Sequence, residues 1–411
     1  MAPLRDRLAN FLVLNRTVGV VLLSVLLFGL GEQLWEAFLP VYLKATGKHG
    51  DGRITNDTLW LIGVYALARN LFEAVCYVGG GRITGWLGDR GSMLLFSVLT
   101  LAGYALFLTV SAPWAAVLAA LLILGWEPLS VPLTFTTVGA TVSKEKRGAA
   151  FAIQSIQKRL PRMIGPAIAA FVLAAFARRW GRDEGHALGM KWLVAASLLL
   201  GLVTLGIQWK WMPHRKNDDQ PIAWRRLWAA YPIVLRRLLL AEICTRWCDW
   251  LVREFVVLYV LFVRSVSIEA IGFYMVLQHA AALMTYLPIG HLTKSVGLRP
   301  FIGLTFVFFA LFPLTLVLLP DNLLWIAFIV YGLREIGEPA RKALITTNIP
   351  EEVRARGVGL YWGLRTIAIA SAAPVGAALW IKFGPETLFQ VAFGFGVLAV
   401  AVFYFLCPAE T

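Results

Sequence analysis

The sequence predicts an all-α membrane protein with twelve transmembrane helices, arranged as two pseudo-symmetric bundles of six. The prediction depends on an apolar composition, on apolar segments of membrane-crossing length, and on an internal repeat. Of the 411 residues, 59% are hydrophobic and 15% are charged, and the mean hydropathy is +0.70. A soluble protein of this length could not bury so much apolar surface, so the composition indicates a chain that crosses the bilayer repeatedly.

Twelve apolar segments, called spans 1 to 12, are long enough to cross a hydrocarbon core of about 30 Å, which takes about 20 helical residues. In order they are 17–43, 58–80, 92–112, 114–141, 148–176, 189–209, 238–263, 268–290, 299–319, 322–346, 357–382 and 387–407. The first follows a basic segment, as in a signal peptide, but it continues without a cleavage site of small residues. We therefore expect it to remain as span 1.

The formal net charge of +14 fits a membrane protein whose basic residues collect in cytoplasmic loops. With the amino terminus inside, the cytoplasmic turns include the basic segments 144–147, 210–237 and 354–356, although 177–184 carries three arginines on the other side. This pattern predicts cytoplasmic termini. Because the loops are short, we expect an integral multi-pass protein of a bacterial inner membrane.

The second half of the sequence repeats the first after a shift of about 210 residues, as expected for parallel repeats about an axis along the membrane normal. EQLWEAFLPVYL (32–43) aligns with DWLVREFVVLYV (249–260), and GRITGWLGDR (81–90) aligns with GHLTKSVGLR (290–299). The longest polar interruption separates the repeats. We predict an amino-terminal bundle at 1–210, a cytoplasmic linker at 211–237 and a carboxyl-terminal bundle at 238–411.

The turn between spans 2 and 3 resembles the signature of the major facilitator superfamily of secondary transporters, which reads roughly G-x-L-a-D-R-x-G-R-R. The matching residues are Gly81, Ile83, Thr84, Gly88 and Arg90, with a weaker copy at Gly290, Leu292, Thr293, Gly297 and Arg299. The aspartate position holds Gly85 and Lys294, although a shifted alignment restores an Asp89-Arg90 pair. This resemblance implies two six-helix halves around a central cavity, lined by spans 1, 4, 7 and 10 and flanked by spans 2, 5, 8 and 11.

Charged side chains occur on those eight spans and are nearly absent from the other four, which supports a polar cavity. Charge at membrane depth is costly unless it faces a cavity or a partner. As substrate-binding candidates we predict Lys158, Arg162, Arg253, Arg334, Arg365 and Glu127; as proton-coupling candidates Glu32, Glu36 and Asp249; and as gating or ion-pair candidates Arg69, Glu73, Glu338, Gly81, Gly88 and Arg90.

Glu32 and Glu36 share one helical face and carry the same charge. Two close carboxylates in a low dielectric resist double ionisation, so one of them could hold a proton near neutral pH, as a proton-coupled carrier requires. Alternatively, one or both pair with a base such as Arg253 or Lys158 across the pseudo-twofold axis. The sequence leaves both interpretations open.

Helical spacing also suggests ion pairs between residues four apart: Arg69 with Glu73, Asp249 with Arg253, and Arg334 with Glu338. Each pair could either fix packing or contact substrate. Arg341 and Lys342 lie near a predicted cytoplasmic helix end, where we expect them to anchor the helix at lipid headgroups.

Lys158 and Arg162 share a face near the predicted midplane, and a positive cluster there favours an anionic or zwitterionic ligand. Glu127, Glu32 or Glu36 could instead neutralise it. We predict a monomeric secondary transporter that moves a small polar organic solute, anionic or zwitterionic, with proton coupling. A proton-coupled multidrug exporter and a non-transporting receptor or scaffold are the alternatives.

Without a Walker A, HExxH or nucleophile-elbow motif, no enzyme activity, cofactor, metal or nucleic-acid partner is expected.

Overall fold

The computed structural model describes residues 16–47, 54–130, 147–213, 228–229, 231–349 and 354–407. Helices occupy most of these residues and follow the predicted spans in order. Their bounds are Arg16–Gln33, Glu36–Phe38 and Leu39–Ala45 for span 1; Asn56–Thr109 for spans 2 and 3; Pro113–Leu124 for span 4; Arg147–Trp180 for span 5; Arg182–Trp211 for span 6; Ile233–Val252, Val256–Leu258 and Tyr259–Val263 for span 7; Ile268–Val296 for span 8; Arg299–Leu318 for span 9; Asp321–Leu323, Leu324–Leu333 and Glu338–Thr347 for span 10; Arg354–Ile369 and Ala372–Phe383 for span 11; and Pro385–Leu406 for span 12.

The predicted all-helical membrane fold is confirmed. Within the described residues, 10 helical segments are long and apolar enough to cross a membrane. Spans 7 and 10 are also helical, but both are interrupted at charged residues, which shortens their apolar stretches. The helix order therefore agrees with twelve spans. Most of the predicted linker, at 214–227, lies outside the described residues, so the domain boundaries stay a prediction.

The internal repeat is visible in the backbone as well as in the sequence. Gly88, after span 2, and Gly297, after span 8, have φ values of 70° and 86°. Gly181, after span 5, and Gly384, after span 11, have φ values of 83° and 88°. Glycine adopts such angles without a steric penalty. The two halves therefore reverse direction at equivalent positions, and the glycines make these sharp turns possible.

An arginine follows two positions after Gly88 and after Gly297, and in each half it donates to a backbone carbonyl oxygen. Arg90 donates to the carbonyl oxygen of Trp209 at 2.5 Å, and Arg299 donates to that of Cys407 at 2.9 Å. A guanidinium at a helix carboxyl terminus satisfies free carbonyl groups and complements the helix dipole. Each arginine thus connects its turn to the last helix of its own half.

Of the other motif residues predicted for gating, Gly81 lies within the helix Asn56–Thr109 and Gly88 forms its kink.

The two halves pack together at one end of the bundle. We call the end near Arg16 and Gly88 the amino-terminal face, and the other end the opposite face. Towards the opposite face a single hydrophobic core joins both halves, with Tyr65 and Leu173 from one and Tyr259 from the other. Towards the amino-terminal face the described core residues form two separate clusters, one in each half. Span 5 packs on span 8, and span 2 packs on span 11.

Span 8 approaches span 5 closely at Gly272. A Cβ atom on residue 272 would overlap the Cβ of Ala170. Because the Cβ of alanine is bonded directly to the backbone, no side-chain rotation can move it away. We expect Gly272→Val to lower the free energy of unfolding by about 1–3 kcal/mol because the overpacked helices must separate. Thermal unfolding of the purified protein measures this loss.

Gly206→Ala is the matched control, since a Cβ on Gly206 has nothing within 4 Å. Its stability should stay level or rise slightly, because alanine favours the helix. Equal losses in the two variants would contradict the close packing of spans 5 and 8.

Candidate functional site

The helices of spans 1, 7 and 10 are interrupted near their middles, beside charged residues. In span 1 the N–H of Phe38 donates to Trp35 O at 3.0 Å, and in span 7 the N–H of Phe255 donates to Val252 O at 2.8 Å. These i to i+3 bonds are tighter than α-helical ones. The repeat aligns Phe38 with Phe255, so the interruptions in spans 1 and 7 are equivalent. Irregular backbone at membrane depth is tolerated where protein or a polar cavity surrounds it.

At the helix ends that these interruptions create, the charge of the nearby side chain is opposite to the partial charge of the helix end. Arg253 and Arg334 follow the carboxyl ends of Ile233–Val252 and Leu324–Leu333. Glu36 and Glu338 lie in the first turns of the segments that resume the chain. Cations at carboxyl ends and anions at amino ends are stabilised by the helix dipole. The interrupted backbone therefore provides part of the stabilisation that buried charges need.

Arg69 of span 2 is the centre of the first charge cluster. Its guanidinium lies 2.6 Å from a carboxylate oxygen of Glu36, 2.9 Å from Glu73 and 3.7 Å from Glu254. The predicted contact with Glu73 forms, and Glu36 pairs with Arg69 of its own half and not with Arg253. Glu254 belongs to the other half, so this cluster bridges the two bundles.

Asp249 of span 7 is the centre of the second cluster. It accepts hydrogen bonds from Arg334 at 2.6 Å and from the Tyr331 hydroxyl at 2.7 Å, and Arg246 lies 3.8 Å away. The suggested pair with Arg253 does not form, because Arg334 from span 10 takes the carboxylate. These contacts hold one proton-coupling candidate and one substrate-binding candidate in a single ion pair.

The suggested pair between Arg334 and Glu338 does not form either. The segment between them turns through i to i+3 bonds, such as Glu335 N–H to Gly332 O at 3.1 Å. In that geometry residues four apart no longer share a face. Glu338 pairs instead with Lys342 at 3.3 Å and with Arg341.

Arg341 is not a headgroup anchor, contrary to the prediction. It is 6% exposed and its guanidinium lies 3.0 Å from Glu242. Arg365, predicted to bind substrate, lies 3.1 Å from the same carboxylate. Glu242 was not predicted as a site residue, although the sequence carried a signal for it, since Arg246 stands four positions later on the same helix.

Span 5 contributes two cations whose side chains are described. Arg159 lies 2.7 Å from Glu335 of the other half, and Arg162 lies 3.9 Å from Glu127 of span 4. The side chain of Lys158 falls outside the described residues, so its predicted role is untested. Neither Arg159 nor Glu335 was predicted as a site residue, since no sequence pattern specifies which side chains meet across two bundles.

Among the described candidates for substrate binding and proton coupling, Glu32 and Arg253 are the two that form no ion pair with another described residue. A carboxylate oxygen of Glu32 accepts a 3.5 Å hydrogen bond from Gln33, whose amide lies closer, at 2.6 Å, to Glu36. The Arg253 guanidinium lies over the Trp250 ring at 4.8 Å. Glu32 also lines a cavity towards the amino-terminal face, together with Glu127, Arg162, Trp126 and Pro161. A proton that reaches this cavity meets a carboxylate that has no ion-pair partner among the described residues.

The site as a whole lies between the halves and is built from spans 1, 2, 4, 5, 7, 10 and 11. Ion pairs cross from half to half between Arg69 and Glu254 and between Arg159 and Glu335. Any motion that separates the halves at this depth must break them. A change in the charge of one of these side chains would therefore change how strongly the two bundles are held together.

Comparison with known proteins gives the same architecture. Residues 238–411 match the family model described as Major Facilitator Superfamily. Similar solved structures include a D-xylose-proton symporter (TM-score 0.75, 13% identity, 96% of this chain and 98% of that chain), the peptide transporter POT in complex with alafosfalin (0.69, 14%, 95% and 93%) and the human organic anion transporter MFSD10 (0.61, 18%, 94% and 99%). No match was found among curated protein sequences. The carboxyl-terminal half thus matches this family model, and the chain shares the fold of these solved structures.

Proposed function

Given a chain with the fold of the major facilitator superfamily, whose carboxyl-terminal half matches that family, we propose a proton-coupled secondary transporter of small anionic or zwitterionic organic solutes. It acts by alternating access, in which two halves rock about a central site. The single observation that carries the proposal is the pair of charges left out of the ion-pair clusters, Glu32 and Arg253.

The packing of the halves supports alternating access. Their shared core lies towards the opposite face, while the described cores towards the amino-terminal face are separate. With the amino terminus in the cytoplasm, this is an inward-facing conformation. We place the protein in a bacterial inner membrane as a monomer, in keeping with its short loops and with a central site formed between two bundles of one chain.

The charge of the substrate follows from which cations remain available. Arg69, Arg334 and Arg365 each have a carboxylate within 3.1 Å. Arg253 has none among the described residues, and the contact of Arg162 with Glu127 is long at 3.9 Å. A guanidinium without a carboxylate partner favours a ligand that brings carboxylate or phosphate oxygens.

Glu32 is the best candidate for the proton-carrying group. Glu36 and Asp249, the other two candidates, are held by arginines at 2.6 Å, which favours their charged forms. Glu32 has no such partner in the described structure and lines the cavity. It can therefore gain and lose a proton without breaking an ion pair.

Ligand screening of the purified protein tests the substrate class. We expect anions or zwitterions to raise the unfolding temperature of the wild type, and Arg253→Gln to weaken this ligand effect about tenfold, as for a lost charged hydrogen bond. Arg82→Gln is the control, because Arg82 is exposed and belongs to neither of the described charge clusters. Stabilisation by bulky cations alone, unchanged in Arg253→Gln, would favour a multidrug exporter.

Flux measurements in proteoliposomes test the proton step. For the ligand found by screening, Glu32→Gln should lose uptake driven by a proton gradient while keeping exchange of solute for solute. Glu184→Gln, at an exposed residue near the opposite face, should keep both activities. Gradient-driven uptake by Glu32→Gln at the wild-type rate would exclude Glu32 as the carrier, and binding without any flux would favour a receptor or scaffold.

A further inference from the structure

A second cavity lies at the opposite face, away from the central site. It has a volume of about 320 Å³ and is bounded by the end of span 5, the start of span 6 and the turn into span 8. Its polar lining residues are Arg178, Arg182, His186, Ser265, Ser267 and Glu269. The first three belong to one half and the last three to the other, so the cavity spans the joint between the bundles.

The charges around this cavity leave one cation without a carboxylate. Glu269 lies 2.8 Å from Arg178, and Asp183 lies 2.7 Å from Lys44. Arg182 forms no ion pair among the described residues. Its guanidinium donates to Leu261 O at 3.3 Å.

The amino ends of two long helices also meet at the cavity. Span 6 starts at Arg182 and span 8 starts at Ile268. The first N–H groups of a helix lack intrahelical partners, and the helix dipole is positive there. The Ser267 hydroxyl, which accepts from the N–H of Ala270 at 3.3 Å, lies at the second of these ends.

His186 provides an independent sign of a missing partner. It is 2% exposed, it lines the cavity, and its Nδ1 atom has no hydrogen-bond partner in the described part of the chain. A buried polar atom without a partner is costly in a native protein. Because Arg182 stands four residues before His186, the two side chains share one helical face.

From these features we infer that the cavity at the opposite face is a binding site for a phosphate group, held by Arg182, His186 and the amino end of span 8. The group belongs either to a free phosphate ion or to the headgroup of an anionic lipid, since both present the same oxygens. Guanidinium, imidazole N–H and free backbone N–H groups are the donors that phosphate oxygens accept from.

Occupation of this site bridges the two bundles on the side where they are packed together. A ligand that contacts both halves binds the closed arrangement of this face better than the separated one, and so shifts the population towards it. The consequence for transport rests on the proposed alternating access, but binding itself does not. Bound phosphate would thus slow opening towards the opposite face.

Thermal unfolding of the full chain tests the site without any flux measurement. One arm titrates inorganic phosphate against detergent-solubilised protein at constant ionic strength; the other compares nanodiscs of phosphatidylglycerol and phosphatidylcholine. Arg182→Gln and His186→Gln should weaken the phosphate-dependent stabilisation about tenfold, as expected for lost charged hydrogen bonds. Arg179→Gln, at a neighbouring exposed arginine that does not line the cavity, should respond as the wild type.

The two arms distinguish the source of the phosphate group. Stabilisation by inorganic phosphate that depends on Arg182 and His186 supports a free ion, and stabilisation by phosphatidylglycerol alone with the same dependence supports a lipid headgroup. If neither arm stabilises the wild type, or if all variants respond alike, the site does not exist as described. A protein that binds phosphate here but moves no solute would overturn the proposed transport and leave the site standing.

Discussion

Arg69→Gln is expected to lower the free energy of unfolding by about 3–5 kcal/mol, the usual effect of removing one partner from a buried ion pair. Three carboxylates, from Glu36, Glu73 and Glu254, lie within 3.7 Å of this guanidinium. Without it they repel one another in a region of low dielectric. Denaturant or thermal unfolding of purified protein measures the loss.

Two further variants isolate the cause. Arg82→Gln, on the same helix at an exposed position, should change stability by less than about 0.5 kcal/mol. Arg69→Gln combined with Glu36→Gln should recover part of the loss, because one of the uncompensated charges is removed. If the double variant is no more stable than the single one, repulsion between the carboxylates is not the cause.

Asp249→Asn is expected to cost about 3–5 kcal/mol, because it removes the carboxylate at 2.6 Å from the buried Arg334 and leaves only the longer contact with Glu335 at 3.8 Å. Asp249 is 2% exposed and accepts from both Arg334 and Tyr331. If it acts as an ion-pair partner rather than a proton carrier, Asp249→Asn combined with Arg334→Gln should be more stable than Asp249→Asn alone. Unfolding measurements on both variants decide this.

Glu386→Gln is the control for removing a carboxylate. Glu386 is exposed in the first turn of span 12, so only a helix-dipole contribution of less than about 1 kcal/mol is at stake. If Asp249→Asn loses no more stability than Glu386→Gln, the ion pair between Asp249 and Arg334 is contradicted. Asp249 would then again be a candidate for the proton-carrying group.

The two clusters and the two unpaired charges suggest a division of roles at the site. Arginines that bind carboxylates at short distance, such as Arg69 and Arg334, fix the interrupted helices in place. Glu32 and Arg253 lack such partners in the described structure and remain available to a proton and to a solute. In this division, the paired charges hold the helices in position, and the other two charges bind and release the proton and the solute.

Several charged residues of the clusters were named from sequence, but Glu242, Arg159 and Glu335 were not, and the ion pairs were predicted only in part. The contact between Arg69 and Glu73 follows from helical spacing and forms at 2.9 Å. The spacing of Arg334 and Glu338 is the same, but their pair does not form. A regular helix is required for that inference, and the chain leaves the α-helical path between these two residues.

The sequence by itself determined the helical membrane fold, the order of the spans and the internal repeat, because apolar length and repeated residues are local properties of the chain. Glycines at equivalent turns, such as Gly88 and Gly297, belong to this class. Only the tertiary structure decided that Glu254 reaches Arg69 and that Glu335 reaches Arg159. Partners in different bundles are set by how the two halves pack, and no periodicity within one helix records that packing.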